Sequence, residues 1–438
     1  MASLAEPATG ARADQAAADA RALRLRGWTL ALLTLVYFFS FMDRYILAIL
    51  LEPIKADLRL NDTQLGLLSG LAFAIFYATL GIPVAWAVDR YARRPIIAVA
   101  LALWSGMTAL CGTATNFTQL LIYRIGVGVG EAGSSPPSHS IIADLYPPEK
   151  RAGAMGIYST GVVLGGGFGA IIGGSIAAAY NWRTAMYALG LPGIALALIV
   201  WLVMVEPRRG LSDPVPLAPA AKPTLGEGLA SLARCAPAVH LILAVTLTSL
   251  IGYAVGSFGP SYLQRSLGMS LTGVALIYAP GVAFAGAAGG VIGGRIADWC
   301  GRRWGLHSQA WFVALLKLAA LPFTIAFYLA GDFVTGFAAV LMSYLLASSY
   351  LGPSFALIQG LAPTRMRAVW AAITLLVINL IGLGAGPTLA GVVSDWLRPR
   401  FGEESLRYSM LLISLLTPWA IWHYWRAGVL LKRRAGAG

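Results

Sequence analysis

Four charged residues sit where a charge is hardest to keep. Asp43 and Arg44 lie side by side in FMDRYIL, inside the apolar run GWTLALLTLVYFFSFMDRYILAILL from Gly27 to Leu51. Arg124 and Glu131 lie in a second apolar run that contains YRIGVGVGEAG. Each run is long enough to cross a bilayer, and an ionised side chain within one costs about 2.5–3.5 kcal/mol on insertion scales. Two chemistries suit such residues. A carboxyl can take and release a proton, because burial and a neighbouring Arg act on it in opposite senses. A guanidinium offers a planar fork of donors to a phosphate or carboxylate. A proton and an anion that compete for one cluster are thereby coupled. The plainer reading is an ion pair that holds two helices together.

Residues adjacent in a helix point about 100° apart, so Asp43 and Arg44 do not satisfy each other. Arg124 and Glu131 are two turns apart and share a face. Asp43 lies roughly 22 Å along the first run, and Arg124 roughly 10 Å along the oppositely directed second run. In a core about 30 Å thick these are similar depths. The expected arrangement pairs Asp43 with Arg124 across the two spans, turns Arg44 into a cavity, and sets Glu131 about 10 Å deeper.

Helices must hold these residues, and composition supplies them. The chain has 438 residues, 58% hydrophobic and 12% charged, with mean hydropathy +0.72. A soluble domain carries about a quarter charged residues. The expected fold is all-α and polytopic, with twelve spans at 28–50, 63–86, 95–115, 117–140, 150–179, 182–204, 236–264, 270–293, 307–330, 333–358, 366–394 and 406–428. The run after the Ala-rich start is too long for a signal peptide. Residues 1–27 read as a disordered cytoplasmic tail, 28–205 as one six-helix bundle, 206–235 as a cytoplasmic linker, 236–430 as a second bundle and 431–438 as a basic tail.

The net charge of +13 does not point to nucleic acid. Most of the 32 Lys and Arg fall in the segments on the side of the N-terminus. The positive-inside rule then puts both termini in the cytoplasm of what reads as a bacterial inner membrane. Arg44, Arg124 and Lys317 are the basic residues within spans. Cys111, Cys235 and Cys300 are scattered, as are four histidines, so neither a disulfide framework nor a metal site is expected. Gly128, Gly130 and Gly133 form a GxGxxG, but it lies within a span and follows no strand. No GxxxxGK[ST], HExxH or GxSxG occurs. No cofactor, ATP drive or enzymatic activity is expected.

The two halves echo each other. AWAVDRYARRP after span 2 and GRIADWCGRRW after span 8 align on Asp89 and Asp298. The pairs Arg93-Arg94 and Arg302-Arg303 follow at equal distance, and Arg90 lies just after the first Asp. Arg151 and Arg367 each stand four residues after a proline, before spans 5 and 11. Repeats of this kind mark secondary transporters with a site between the halves. The loop after span 2 with its copy after span 8, YRIGVGVGEAG, and the series Gly161, Gly165, Gly166, Gly167, Gly169, Gly173 and Gly174 resemble the major facilitator superfamily. One departure is Ala85, where that loop usually starts with Gly. FMDRYIL, RIGVGVGEA and SIIADLYPPEKRAGAMGIY resemble, more narrowly, the spinster family of lysolipid and sphingolipid transporters.

The resemblance implies two bundles of six helices and alternating access. It implies proton coupling through Asp43 and Glu131, head-group binding by Arg44 and Arg124, and a cytoplasmic gate of Asp89, Arg90, Arg93, Arg94, Arg151, Asp298, Arg302, Arg303 and Arg367. In this fold span 9 is peripheral, so Lys317 reads as a snorkelling or capping residue. Tyr158, Tyr253, Ser349 and Asn379 are cavity candidates, with Ser257, Ser348 and Tyr350 nearby. Pro280, Pro353 and Pro387 allow close packing or bending. A cavity charged on one side and apolar on the other fits an amphipathic anion such as a lysophospholipid or sphingolipid. The expectation is a monomeric, proton-coupled transporter of such lipids. The alternatives are an uncoupled facilitator or scramblase, and an exporter of other amphiphilic drugs or metabolites.

Overall fold

A computed structural model describes residues 6–213 and 224–435. Ten helical stretches are long and apolar enough to cross a membrane. They begin with span 1 (Arg26–Leu58), span 2 (Asp62–Arg90) and span 3 (Arg93–Cys111). Span 4 is broken into Phe117–Glu131 and Ser135–Leu145, so it is not one long apolar helix. Spans 5 to 10 are Pro148–Ala179, Trp182–Val203, Ala236–Ser266, Leu271–Trp304, His307–Leu329 and Phe333–Leu361. The last stretch, Thr364–Ala435, turns back at Gly402–Glu404 and so contains spans 11 and 12. Twelve crossings result, six in each half.

The tail expected to be disordered carries a helix, Glu6–Arg24. The linker of residues 206–235 lies partly outside the described residues, and its later part forms a short helix, Leu225–Ala233. The basic end continues the last helix to Ala435, and 436–438 lie outside the described residues.

Local chemistry explains the element ends. At the end of the protein away from the termini, side chains cap the starts of the helices. Asn61, Asn116, Asn181 and Asp332 each accept the backbone N–H three residues on, which satisfies a donor the helix leaves free. Span 4 breaks because Pro136 and Pro137 lack N–H groups and suit the first turn of a new helix. Three other irregular stretches each lie just ahead of a proline. Val274–Tyr278 is π-helical before Pro280, Ser348–Tyr350 is 3-10 before Pro353, and Ile378–Ala385 is π-helical before Pro387. Proline removes the hydrogen bond that would hold the preceding turn in α form.

Spans 1 and 5 pack backbone to backbone. Gly161, Gly165 and Gly169, four residues apart, face Thr34, Phe38 and Met42, also four apart. A Cβ on Gly161 would stand 2.8 Å from the Thr34 carbonyl oxygen, and one on Gly169 would stand 2.9 Å from Met42 Cα. Small residues at this period let two membrane helices approach closely. The seam ends beside Asp43 and Arg44, and so sets how far those side chains reach. Gly165→Val should lower the melting temperature by several degrees, since overpacking costs about 1–3 kcal/mol. Gly167→Val, where a Cβ meets nothing within 4 Å, should leave it unchanged. Thermal unfolding of the two variants in detergent checks this.

Candidate functional site

Span 1 turns two adjacent charges to different neighbours. Arg44 reaches span 4, where its Nε donates to Glu131 Oε2 at 2.5 Å. Ser40, one turn earlier on the same face, donates its hydroxyl to the same oxygen at 2.9 Å. The Arg44 guanidinium lies against the rings of Phe41, Phe73 and Tyr77, at 4.9, 4.8 and 4.5 Å from their centroids. Such ring faces attract a cation more strongly where water is scarce. Glu131 is the last residue of its helix, an end where the dipole disfavours an acid, and Arg44 offsets that. Its Oε1 has no hydrogen-bond partner among the described residues.

The expected Asp43–Arg124 pair does not form. Asp43 is fully buried, and the Thr108 hydroxyl of span 3 stands beside it, yet no hydrogen bond of ordinary geometry reaches either carboxyl oxygen. Arg124 is buried too; its Nε donates to the Leu68 carbonyl at a long 3.4 Å, and its guanidinium lies 5.7 Å from the Phe73 ring centroid. Glu131 is paired instead with Arg44, the residue next to Asp43. Arg44 spans to Glu131, and Asp43, about 100° round the helix, turns toward span 3.

The remaining candidates divide. Tyr158 is buried, stacked on Tyr37 with centroids 4.3 Å apart and edge-on to His139 at 5.4 Å. Tyr253 is half-buried and packs against a cluster of the other half that contains Phe73 and Val127. Asn379 is half-buried in the π-helical stretch of span 11. Ser349 is not a cavity residue: its hydroxyl donates to the Gly289 carbonyl at 2.7 Å and packs span 10 on span 8. Lys317 does not snorkel. It turns inward and caps the Ala347 carbonyl at 2.8 Å.

The gate candidates sit at the termini end. Arg93 is buried and binds Asp144, Glu206 at 2.7 Å, the Ser140 hydroxyl and the Pro207 carbonyl. The Arg94 N–H donates to Glu206, and Arg151 bonds Asp213 and the Ala143 and Tyr146 carbonyls. These bonds tie spans 3, 4 and 5 to the segment after span 6, all within one half. Arg90 lies on the Trp86 ring of its own helix. Asp89, Asp298, Arg302, Arg303 and Arg367 are exposed.

The halves are instead clasped at the opposite end, by residues the sequence reading passed over. Arg265, at the end of span 7, forms a two-pronged bond with Glu52 at 2.7 and 2.9 Å, and reaches Asp62 at 2.8 Å. Lys55 and Ser394 also bond Asp62, each at 2.7 Å. Asp395 of span 11 accepts the N–H groups of Asp62 and Thr63, the first turn of span 2. One half thus caps a helix of the other. Spans 2 and 11 touch just below, where a Cβ on Gly70 would meet the Gly384 carbonyl oxygen at 2.5 Å. A signal was present: Glu52, Lys55, Asp62, Arg265 and Asp395 all lie at span ends on one side, with both signs represented.

Two six-helix halves, clasped at one end around buried charges, make the architecture of a secondary transporter. The sequence profile of the Major Facilitator Superfamily matches residues 33–387, and the chain belongs to that superfamily. Within it the chain resembles spinster proteins. It is 31% identical to a bacterial homolog of the human lysosomal transporter Spinster, solved in an inward-facing and unoccupied conformation. That likeness covers 93% of this chain and 98% of the other, with a TM-score of 0.84. An MFS-type efflux pump of Mycolicibacterium smegmatis is 33% identical over 93% of this chain and 94% of its own length. The sphingosine-1-phosphate transporter of Mus musculus is 26% identical over 87% of this chain and 73% of its own length.

Removing Arg265 leaves Glu52 and Asp62 without a shared counter-charge, and breaking such a buried network costs about 3–5 kcal/mol. Arg265→Ala should therefore shift the protein toward a state open at the clasped end. Spin labels on Ala56→Cys and Arg400→Cys, one in each half, should report a longer mean distance by electron double resonance. An unchanged distance distribution would show that the clasp does not hold this end shut.

Proposed function

We propose that the protein is a proton-coupled secondary transporter of amphipathic anionic lipids, lysophospholipid-like or sphingolipid-like, working by alternating access. The observation that carries the reading is the buried Arg44–Glu131 pair with an unpartnered Asp43 beside it. A proton placed on Glu131 removes the charge that holds Arg44. The guanidinium is then available to an anionic head group, with the aromatic walls still in place. Return of the head group's site to Arg44–Glu131 pairing expels the proton. The two carboxyls stand in unlike settings, Glu131 bonded by Arg44 and Ser40 and Asp43 beside only the Thr108 hydroxyl, which suits them to different steps of the cycle.

The likeness to a sphingosine-1-phosphate transporter supports a lipid anion, and the likeness to an efflux pump supports export. Both termini are read as cytoplasmic, because most of the Lys and Arg lie on their side. The clasped end then faces outward, and the conformation is inward-facing. A bacterial inner membrane fits the compact loops. An exporter of other amphiphiles is the second reading, favoured by the efflux-pump relative.

Proteoliposomes holding a pH dye test coupling. Lysophospholipid added outside should change the internal pH with the unaltered protein. Glu131→Gln and Asp43→Asn should each reduce that change by on the order of tenfold or more, as expected for a proton-transfer group. Lipid movement without any pH change, equal in all three proteins, would leave a facilitator or scramblase whose buried charges serve structure or head-group binding.

A further inference from the structure

The C-terminal half contains a recess of its own, between spans 7, 9, 10 and 12, with a volume of about 130 Å³. Lys317 stands in its wall and is only 8% exposed. An ammonium has three donors. One goes to the Ala347 carbonyl, and the charge lies 4.5 Å from the centre of the Tyr350 ring. No carboxylate lines the recess. The acids of residues 236–430 are Asp298, Asp332, Asp395, Glu403 and Glu404, all at span ends. A buried cation without a counter-charge is costly to keep.

Capping the break in span 10 accounts for one N–H of Lys317. It does not account for the space beside the amine or for the hydroxyls around it. Thr248, Thr324, Ser343 and Ser348 line the same walls, and the Thr324 and Ser343 hydroxyls bond each other at 2.6 Å. Tyr350 lines the recess, and its hydroxyl shares a hydrogen bond with that of Ser249 in span 7 at 3.1 Å. The recess is thus cationic and hydroxyl-lined, in a half whose other charges lie near the span ends.

We propose that this recess is an anion-binding subsite, in which Lys317 receives the phosphate or carboxylate of an amphiphile and the neighbouring hydroxyls share its remaining oxygens. An anionic head then has two cationic stations, Arg44 in one half and Lys317 in the other. The subsite rests on the lipid-anion reading for the source of its ligand, and on the recess itself for the ligand's charge.

The test uses the full chain in phosphatidylcholine nanodiscs, with dodecyl phosphate, its neutral analogue 1-dodecanol, and inorganic phosphate as probes. By calorimetry, Lys317→Met should weaken dodecyl phosphate by on the order of tenfold or more, the loss of one charge-assisted bond, and leave 1-dodecanol unaltered. Lys317→Arg should retain most of the affinity. Equal weakening of both probes, or of neither, would overturn the subsite. A second measurement needs no variant: reductive methylation of Lys317 in the unaltered protein, read by mass spectrometry. Dodecyl phosphate should protect the amine where 1-dodecanol does not; absence of protection overturns the proposal. Protection by inorganic phosphate alone assigns a free anion, and protection that requires the alkyl chain assigns a lipid head group. If the unaltered protein binds no dodecyl phosphate at all, the lipid-anion reading falls with the subsite. Binding that ignores Lys317 removes the subsite alone.

Discussion

A charged side chain inside a membrane must find its partner within the protein, because the lipid supplies none. That constraint organises this chain. Arg44 finds Glu131 on another helix, Arg93 finds Asp144 and Glu206, and Arg265 finds Glu52 and Asp62 in the opposite half. Each bond ties together segments far apart in sequence. Each also marks a place where one change of charge alters which helices hold together. Asp43, Arg124 and Lys317 meet the constraint least completely, since none of them forms an ion pair among the described residues.

The charged clusters work only because the helices around them are held at fixed distances. The glycine seam between spans 1 and 5 brings two backbones into contact just where span 1 carries its charges. On the other side, the prolines of spans 8, 10 and 11 loosen the α-helix, near the start of span 8 and about midway along spans 10 and 11, and create π or 3-10 turns. One half therefore has a rigid charged wall. The other has irregular backbone, a recess and a single inward-facing amine.

The two ends of the molecule differ in the same physical terms. The clasp away from the termini uses side chains of both signs from both halves, and even borrows Asp395 as a cap for span 2. At the termini end, Arg93 and Arg151 form their bonds within one half. Arg93 and Arg94 of the first loop brace one bundle, while the clasp joins the two. A cycle of alternating access requires that this assignment reverse.

Much of this was legible in the sequence. Hydropathy marked twelve spans, because a membrane requires about twenty apolar residues for each crossing and rewards no other arrangement. The repeated loops marked two halves, and four charges in apolar runs marked a candidate site. Caps such as Asn61 and prolines such as Pro353 also act locally and could be read in place. Pairing could not. Whether Arg44 or Arg124 meets an acid depends on helix rotation and side-chain reach, which the zipper of Gly161, Gly165 and Gly169 sets through contacts with span 1. The clasp of Arg265 with Glu52 and Asp62 joins residues some two hundred positions apart, and no spacing rule announces it. The recess at Lys317 exists only where four helices meet. Sequence alone determined which residues lie at membrane depth, because that follows from runs of composition; tertiary structure decided which of them touch, because contact depends on how rigid helices turn and pack against one another.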